Sequence, residues 1–196
     1  MIIHHIIPSE DITIYLQELP RHYTEETISL SEKDKKHLDK LKNPQRKREF
    51  LAVRHLLHQA GLDNNLTYDK KRPQLKNSGY NISISHCKTH AAIAISQLPV
   101  GVDLEIPGNR IKKTAGKFLS HSENKMAADD IRRLTLFWSA KECVYKINNK
   151  LSNFKQQMQV TAYDAGKNYI GVDSRNKHYS CFYKDMSDVL VTWCVE

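Results

Sequence analysis

An α+β architecture is predicted for this 196-residue chain by two observations. Short stretches at 81–86, 91–95, 100–106 and 159–196 alternate apolar and polar residues with the period of strands. Runs at 31–41, 43–61 and 120–147 instead place apolar residues three and four apart, the period of helices. No repeat, low-complexity tract or long linker appears, so the two halves of the chain are expected to be in contact. A hydrophobic content of 40% is enough for a packed interior.

Ile2-Ile3-His4-His5-Ile6-Ile7 reads as a strand, followed by a second extended or short helical piece through Ile12, Ile14 and Leu16. Ser31 and Asp34 open a helix to about Leu41, with Leu38 and Leu41 inward. Asn43 as N-cap, Pro44 at the first position and Gly61 at the end frame a second helix, with Phe50, Val53 and Leu57 on one face. Arg54 lies about 40° from Phe50 around that helix, at the edge of the apolar face, so it needs either a snorkelling route or an anionic partner. Asp69 to Pro73 is a basic turn, and the strands at 81–86 and 91–95 form a hairpin ahead of a third strand at 100–106. Ser120 and Glu123 have capping-box spacing for a helix running, with interruptions, to Leu134. A separate helix is expected from Phe137 to Ile147, burying Phe137, Ala140, Val144 and Ile147. The remainder reads as a closing antiparallel sheet.

The 30 basic and 22 acidic residues leave a formal charge of +8, which favours an anionic partner: a nucleotide, a nucleic acid, an acidic protein or an anionic membrane. Eight cations between Lys33 and Arg48 form the most basic stretch, and a solvated helix face accounts for many of them. No run approaches eighteen apolar residues, and the opening residues lack a secretory pattern, so a cytoplasmic protein is expected. Cys87, Cys143, Cys181 and Cys194 lack C-x-x-C spacing and read as reduced packing residues.

The chemistry is concentrated in Gly101-Val102-Asp103-Leu104-Glu105 and, further along, Trp138-Ser139-Ala140-Lys141-Glu142-Cys143-Val144-Tyr145-Lys146. Alternate residues of a strand share a face, so Asp103 and Glu105 aim at one place while Val102 and Leu104 pack inward. Glu142 supplies a third carboxylate. Converging carboxylates repel one another unless a cation sits among them, and oxygen-only ligation beside phosphate and water suits Mg²⁺ better than Zn²⁺. Taken alone, Glu142 and Lys146 would be an ordinary i,i+4 helix pair worth about 0.2–0.5 kcal/mol.

The acidic strand, its separation from the helix and the Trp-Ser-x-Lys-Glu-x-x-x-Lys pattern together resemble the 4'-phosphopantetheinyl transferase superfamily. The length and the upstream Ser83-x-Ser85-His86 segment resemble its larger, Sfp-type branch. That resemblance implies two similar α/β halves packed as a pseudo-dimer, each with a small antiparallel sheet and a long helix. It divides the chain into 1–100, with basic residues for coenzyme A phosphates, and 101–196, with the Mg²⁺ carboxylates and a carrier-protein docking helix. The site would lie in the cleft between them.

The implied reaction moves the phosphopantetheine arm of coenzyme A to a serine hydroxyl of an acyl or peptidyl carrier protein and releases adenosine 3',5'-bisphosphate. By the same resemblance Asp103, Glu105 and Glu142 match metal ligands, Lys146 and Lys141 match phosphate-binding or catalytic lysines, and His86 matches a coenzyme A phosphate contact. Glu142 would also help to deprotonate the serine. Arg48, Arg54 and Arg72 resemble positions binding the 3'-phosphate and pyrophosphate. Lys141, pointing about 100° from Glu142, could equally be a surface cation. Ser120 to Leu134 corresponds to the carrier-docking region, where Glu123, Asp129 and Asp130 make the local sequence partly acidic and Met126 offers an apolar contact.

A monomer without nucleic-acid or membrane partners is implied. Two rivals stand beside this reading. A Mg²⁺-dependent nuclease would more commonly carry Glu-x-Lys on one strand, whereas Glu105 is followed by Ile106-Pro107. A basic, non-catalytic binding protein leaves the converging acids unexplained.

Overall fold

The computed structural model describes residues 3–9, 11–19, 30–63, 65–70, 72–148, 150–151 and 153–196. The chain forms two compact units, Met1–Gln97 and Leu98–Glu196. Each has its own antiparallel sheet and one long helix, in keeping with the α+β class.

In the first unit, β1 (Ile3–Ser9) and β2 (Ile12–Glu18) form a hairpin. They are followed by α1 (Glu32–Lys40), α2 (Pro44–Gln59), the short hairpin β3 (Leu66–Asp69) and β4 (Arg72–Leu75), and the hairpin β5 (Asn81–His86) and β6 (His90–Ser96). The main sheet has the order β1-β2-β6-β5, with every pairing antiparallel. The Ser31 hydroxyl accepts from Asp34 N, and the Asn43 side chain accepts from Gln45 N ahead of Pro44, so both helices start at the caps legible in the sequence.

At the end of α2, Gly61 takes a left-handed conformation, with φ +68°. Leu62 N donates to Leu57 O, and Gly61 N donates to His58 O, the paired bonds of a Schellman ending. Ala52, Val53, Leu56 and Leu57 of α2 pack on Ile82, Ala91 and Ile93 of the sheet. Phe50, expected on that same face, is half-buried and belongs instead to a smaller cluster with Leu38, Leu41 and Leu51.

The second unit opens on β7 (Val100–Glu105), followed by α3 (Arg110–Phe118), α4 (His121–Ala127), α5 (Ile131–Ile147) and the single turn α6 (Phe154–Gln157). It closes with β8 (Met158–Asp164), β9 (Tyr169–Ser174), β10 (Lys177–Asp185) and β11 (Leu190–Val195). Its sheet has the order β7-β11-β10-β9-β8, so the first strand of the unit pairs with the last. Helix α5 lies across this sheet, burying Phe137, Ala140, Cys143 and Val144 against Ile170, Val172, Cys181 and Leu190.

The helix expected to begin at Phe137 instead starts at Ile131, and the break falls before it. Ala128 and Asp129 both have left-handed backbones, φ +52° and +54°, and the Asp130 side chain then accepts from Arg133 N to cap α5. No glycine or proline marks this break, and Ala is not a residue that signals positive φ, which is why periodicity alone misplaced it. The four cysteines are free thiols, and Cys143, Cys181 and Cys194 are buried. Among the described residues no helix is long and apolar enough to cross a membrane.

Gly101 sets how closely α5 can approach β7. A Cβ added there would lie 2.2 Å from the carbonyl oxygen of Cys143 and 2.8 Å from its carbonyl carbon, so strand and helix backbones meet where no larger residue fits. Gly101→Ala is therefore expected to lower the unfolding free energy by about 1–3 kcal/mol through forced backbone displacement, measured as a shift in urea midpoint. An unchanged midpoint would show that the helix yields without cost.

Candidate active site

The approach of α5 to β7 assembles the acidic residues. Asp103 and Glu105 alternate along β7, while Val102 and Leu104 between them are 0% and 2% exposed. Facing them, α5 presents Trp138, Ser139, Glu142 and Lys146. Ser139 Oγ donates to Asp103 Oδ2 at 2.8 Å. Lys146 Nζ donates to Asp103 Oδ1 at 2.8 Å and to the Val102 carbonyl at 2.7 Å. Trp138 Nε1 donates to Glu105 Oε1 at 2.8 Å.

Titration behaviour follows from this crowding. Burial pushes Glu142 up, and the charges of Asp103 and Glu105 push it further; Lys146 opposes them, and the pKa settles at about 7. Glu105 is raised by burial and by Asp103, against the Trp138 hydrogen bond and Lys146. Burial alone would lower Lys146, but the charge and hydrogen bond of Asp103, with the charge of Glu142, raise it and keep the ammonium charged.

Among the described residues no three His, Cys, Asp or Glu side chains are gathered closely enough to grip an ion as they stand. The donor set still suits a hard divalent cation in kind. The charge of Asp103 raises the pKa of both Glu105 and Glu142, and the cation already on Asp103 is Lys146.

Lys141 is corrected. It is 0% exposed, not a surface cation, and its Nζ reaches Glu123 Oε1 at 2.7 Å, the Phe118 carbonyl at 2.7 Å and the Met158 carbonyl at 2.9 Å. Saturated by these acceptors inside the core, the ammonium has nothing to offer a phosphate. Burial lowers its pKa against the pull of Glu123. Glu123, counted among the acids facing a carrier, is 0% exposed as well; besides Lys141 it accepts from Ser120 N at 2.6 Å and Val160 N at 2.7 Å. The capping box was legible, but its link to Lys141 had no local signal. Met126 is half-buried against the same core.

The first unit holds the remaining candidates. Arg54 finds the anionic partner its position demanded: Nη2 donates to Asp34 Oδ1 at 2.7 Å, and the guanidinium lies 4.2 Å from the centre of the Phe50 ring. Burial would raise Asp34, but the hydrogen bond and charge of Arg54 hold it below the ordinary carboxylate value. His86 ends β5 with Nδ1 3.5 Å from Glu49 Oε2, and Arg46 donates to that same oxygen at 2.8 Å. Arg46 and the buried Glu49 were not singled out in the sequence. Arg48, which was, donates to the Gln45 side chain.

Arg46, Arg54 and His86 line a cavity of about 320 Å³ with Phe50, Tyr68 and Pro73. Arg54, Phe50 and Tyr68 also border a larger cavity of about 800 Å³, joined there by Lys33, His37 and Lys76. Arg72 has a buried Nη2 with no hydrogen-bond partner among the described residues, a donor suited to an anion.

Residues 99–194 match the model of the 4'-phosphopantetheinyl transferase superfamily. The chain is also similar to the enterobactin synthase component D of Salmonella typhimurium, with 34% identity over 122 residues, covering 56% of this chain and 52% of that protein. The chain thus spans about half the length of the curated relative it matches.

Two stability measurements test these placements. A raised folded-state pKa means that Glu142 supports folding below its ordinary value of 4.5 and that this support disappears as pH rises through about 7. In chelator-treated protein, the stability of wild type relative to Glu142→Gln should therefore fall by roughly 3 kcal/mol between pH 4 and pH 8; a flat difference would refute the shift. Lys141→Met should cost about 3–5 kcal/mol by urea titration because it strands Glu123 in the core. Replacing both partners, Lys141→Met with Glu123→Leu, should recover much of that loss.

Proposed function

We propose that this protein transfers the 4'-phosphopantetheine group of coenzyme A to a serine hydroxyl of an acyl or peptidyl carrier protein, releasing adenosine 3',5'-bisphosphate. The observation that carries the reading is the meeting of Asp103, Glu105, Glu142 and Lys146 on β7 and α5, inside the segment that the superfamily model matches. Asp103, Glu105 and Glu142 are the residues that would hold Mg²⁺. Bound there, the ion would neutralise charge on the pyrophosphate as the phosphoryl group moves.

The chain's own groups do the rest. Lys146, kept charged by its carboxylate neighbours, supplies a positive charge at the place where phosphate oxygens would collect. Glu142 would also help to take the proton of the serine hydroxyl, directly or through water. No nucleophile is required from this chain, because the carrier brings it. Arg46, Arg54 and His86, with Lys33 and Lys76 at the larger cavity, offer cations for the coenzyme A phosphates, and the unpartnered nitrogen of Arg72 supports the same use. The reading includes a monomeric protein at work in the cytoplasm, a setting in which four free thiols are at home.

Mass spectrometry of an apo acyl carrier protein incubated with this protein, coenzyme A and Mg²⁺ should show the phosphopantetheine increment, absent when the metal is chelated. Asp103→Ala and Glu142→Ala should each slow transfer roughly a hundredfold or more while remaining folded by circular dichroism. Transfer at an undiminished rate in folded Asp103→Ala would overturn the ligand assignment. An unmodified carrier together with cleavage of DNA in a parallel assay would support the nuclease instead.

A further inference from the structure

We infer that Ser139 is a positioning residue that orients the Asp103 carboxylate toward the divalent cation; this rests on the phosphopantetheinyl-transfer reading for its activity arm only. Ser139 is 0% exposed, and its hydroxyl donates to Asp103 Oδ2 at 2.8 Å, while Lys146 donates to Oδ1 at the same distance. A carboxylate gripped on one oxygen swings about its last torsion, a broad and soft one, whereas donors on both oxygens fix the plane. Both oxygens of Asp103 thus carry a donor from α5.

The hydroxyl directly opposite on the neighbouring strand does not provide this restraint. Thr192 stands directly opposite Asp103 on β11 and is 0% exposed, yet its Oγ1 has no hydrogen-bond partner among the described residues. A hydroxyl thus lies beside the acid without holding it, and the helix residue does the holding. Ser139 precedes Lys146 by seven residues, two turns of α5, so both donors come from one face of one helix. Their common backbone makes the orientation of Asp103 a property of the helix's seat on β7.

A purely structural hydroxyl would do no more than satisfy a buried acid. The two roles separate in Mn²⁺ binding, followed by electron paramagnetic resonance of the free ion, in wild type, Ser139→Ala and Ser139→Thr. Positioning predicts that Ser139→Ala weakens Mn²⁺ binding about tenfold, that Ser139→Thr, which keeps the hydroxyl, restores most of it, and that wild type and Ser139→Ala melt within a few degrees of each other. In the transfer assay the Mg²⁺ concentration for half-maximal rate should rise by a similar factor, with KM for coenzyme A unchanged. Equal Mn²⁺ affinity in wild type and Ser139→Ala would overturn the inference. Absence of transfer by wild type would overturn the functional reading while leaving the Mn²⁺ comparison decisive for Ser139.

Discussion

The near-contact of two backbones, Gly101 on β7 and Cys143 on α5, is the constraint from which the acidic site follows. A Cβ on residue 101 would penetrate the Cys143 carbonyl, so only glycine lets the helix lie this close. The side chains of α5 then reach the strand directly. Trp138 and Ser139 engage Glu105 and Asp103, Lys146 bonds a strand carbonyl as well as a strand carboxylate, and Cys143 Sγ donates to Thr192 O on the next strand. A wider gap would leave those donors short of their acceptors, since N–H···O hydrogen bonds span only about 2.7–3.2 Å.

The same helix carries two lysines to opposite ends. Lys141 turns into the core, meets Glu123 and two close carbonyls, and ties α4, α5 and β8 together. Lys146, five residues later, points to β7 and Asp103, where its side chain is 23% exposed. One cation is sealed and satisfied; the other borders solvent in a field of unbalanced negative charge. Burial decides the difference, because a sealed ammonium fully used by protein acceptors holds a fold together, whereas the other stands part-exposed among mutually repelling carboxylates.

Much of this could be read from the residues. The caps at Ser31, Asn43 and Ser120 start helices where the chain places its hydroxyl and amide side chains, and the alternation at 81–86 and 100–105 gives strands. Local rules succeeded where the cause was local. The start of α5 was missed because Ala128 and Asp129 adopt positive φ without glycine, and Phe50 was misjudged because periodicity identifies an apolar face but not which of two clusters it joins. For the candidate site, two motifs singled out Asp103, Glu105, Glu142 and Lys146, which the fold brings to facing stretches of β7 and α5. The fate of Lys141 was not legible, since its partner lies 18 positions away on another helix. Arg46 and Glu49 escaped for the same reason: only the fold brings them to His86.

Anomalous diffraction from crystals grown with coenzyme A and Mn²⁺ would examine most directly whether these acids act as a metal centre. The expected result is one manganese peak bound by Asp103, Glu105 and Glu142 and touching the pyrophosphate, with Ser139 still bonded to Asp103. A manganese peak elsewhere, with coenzyme A bound and these three carboxylates empty, would contradict the assignment of the site.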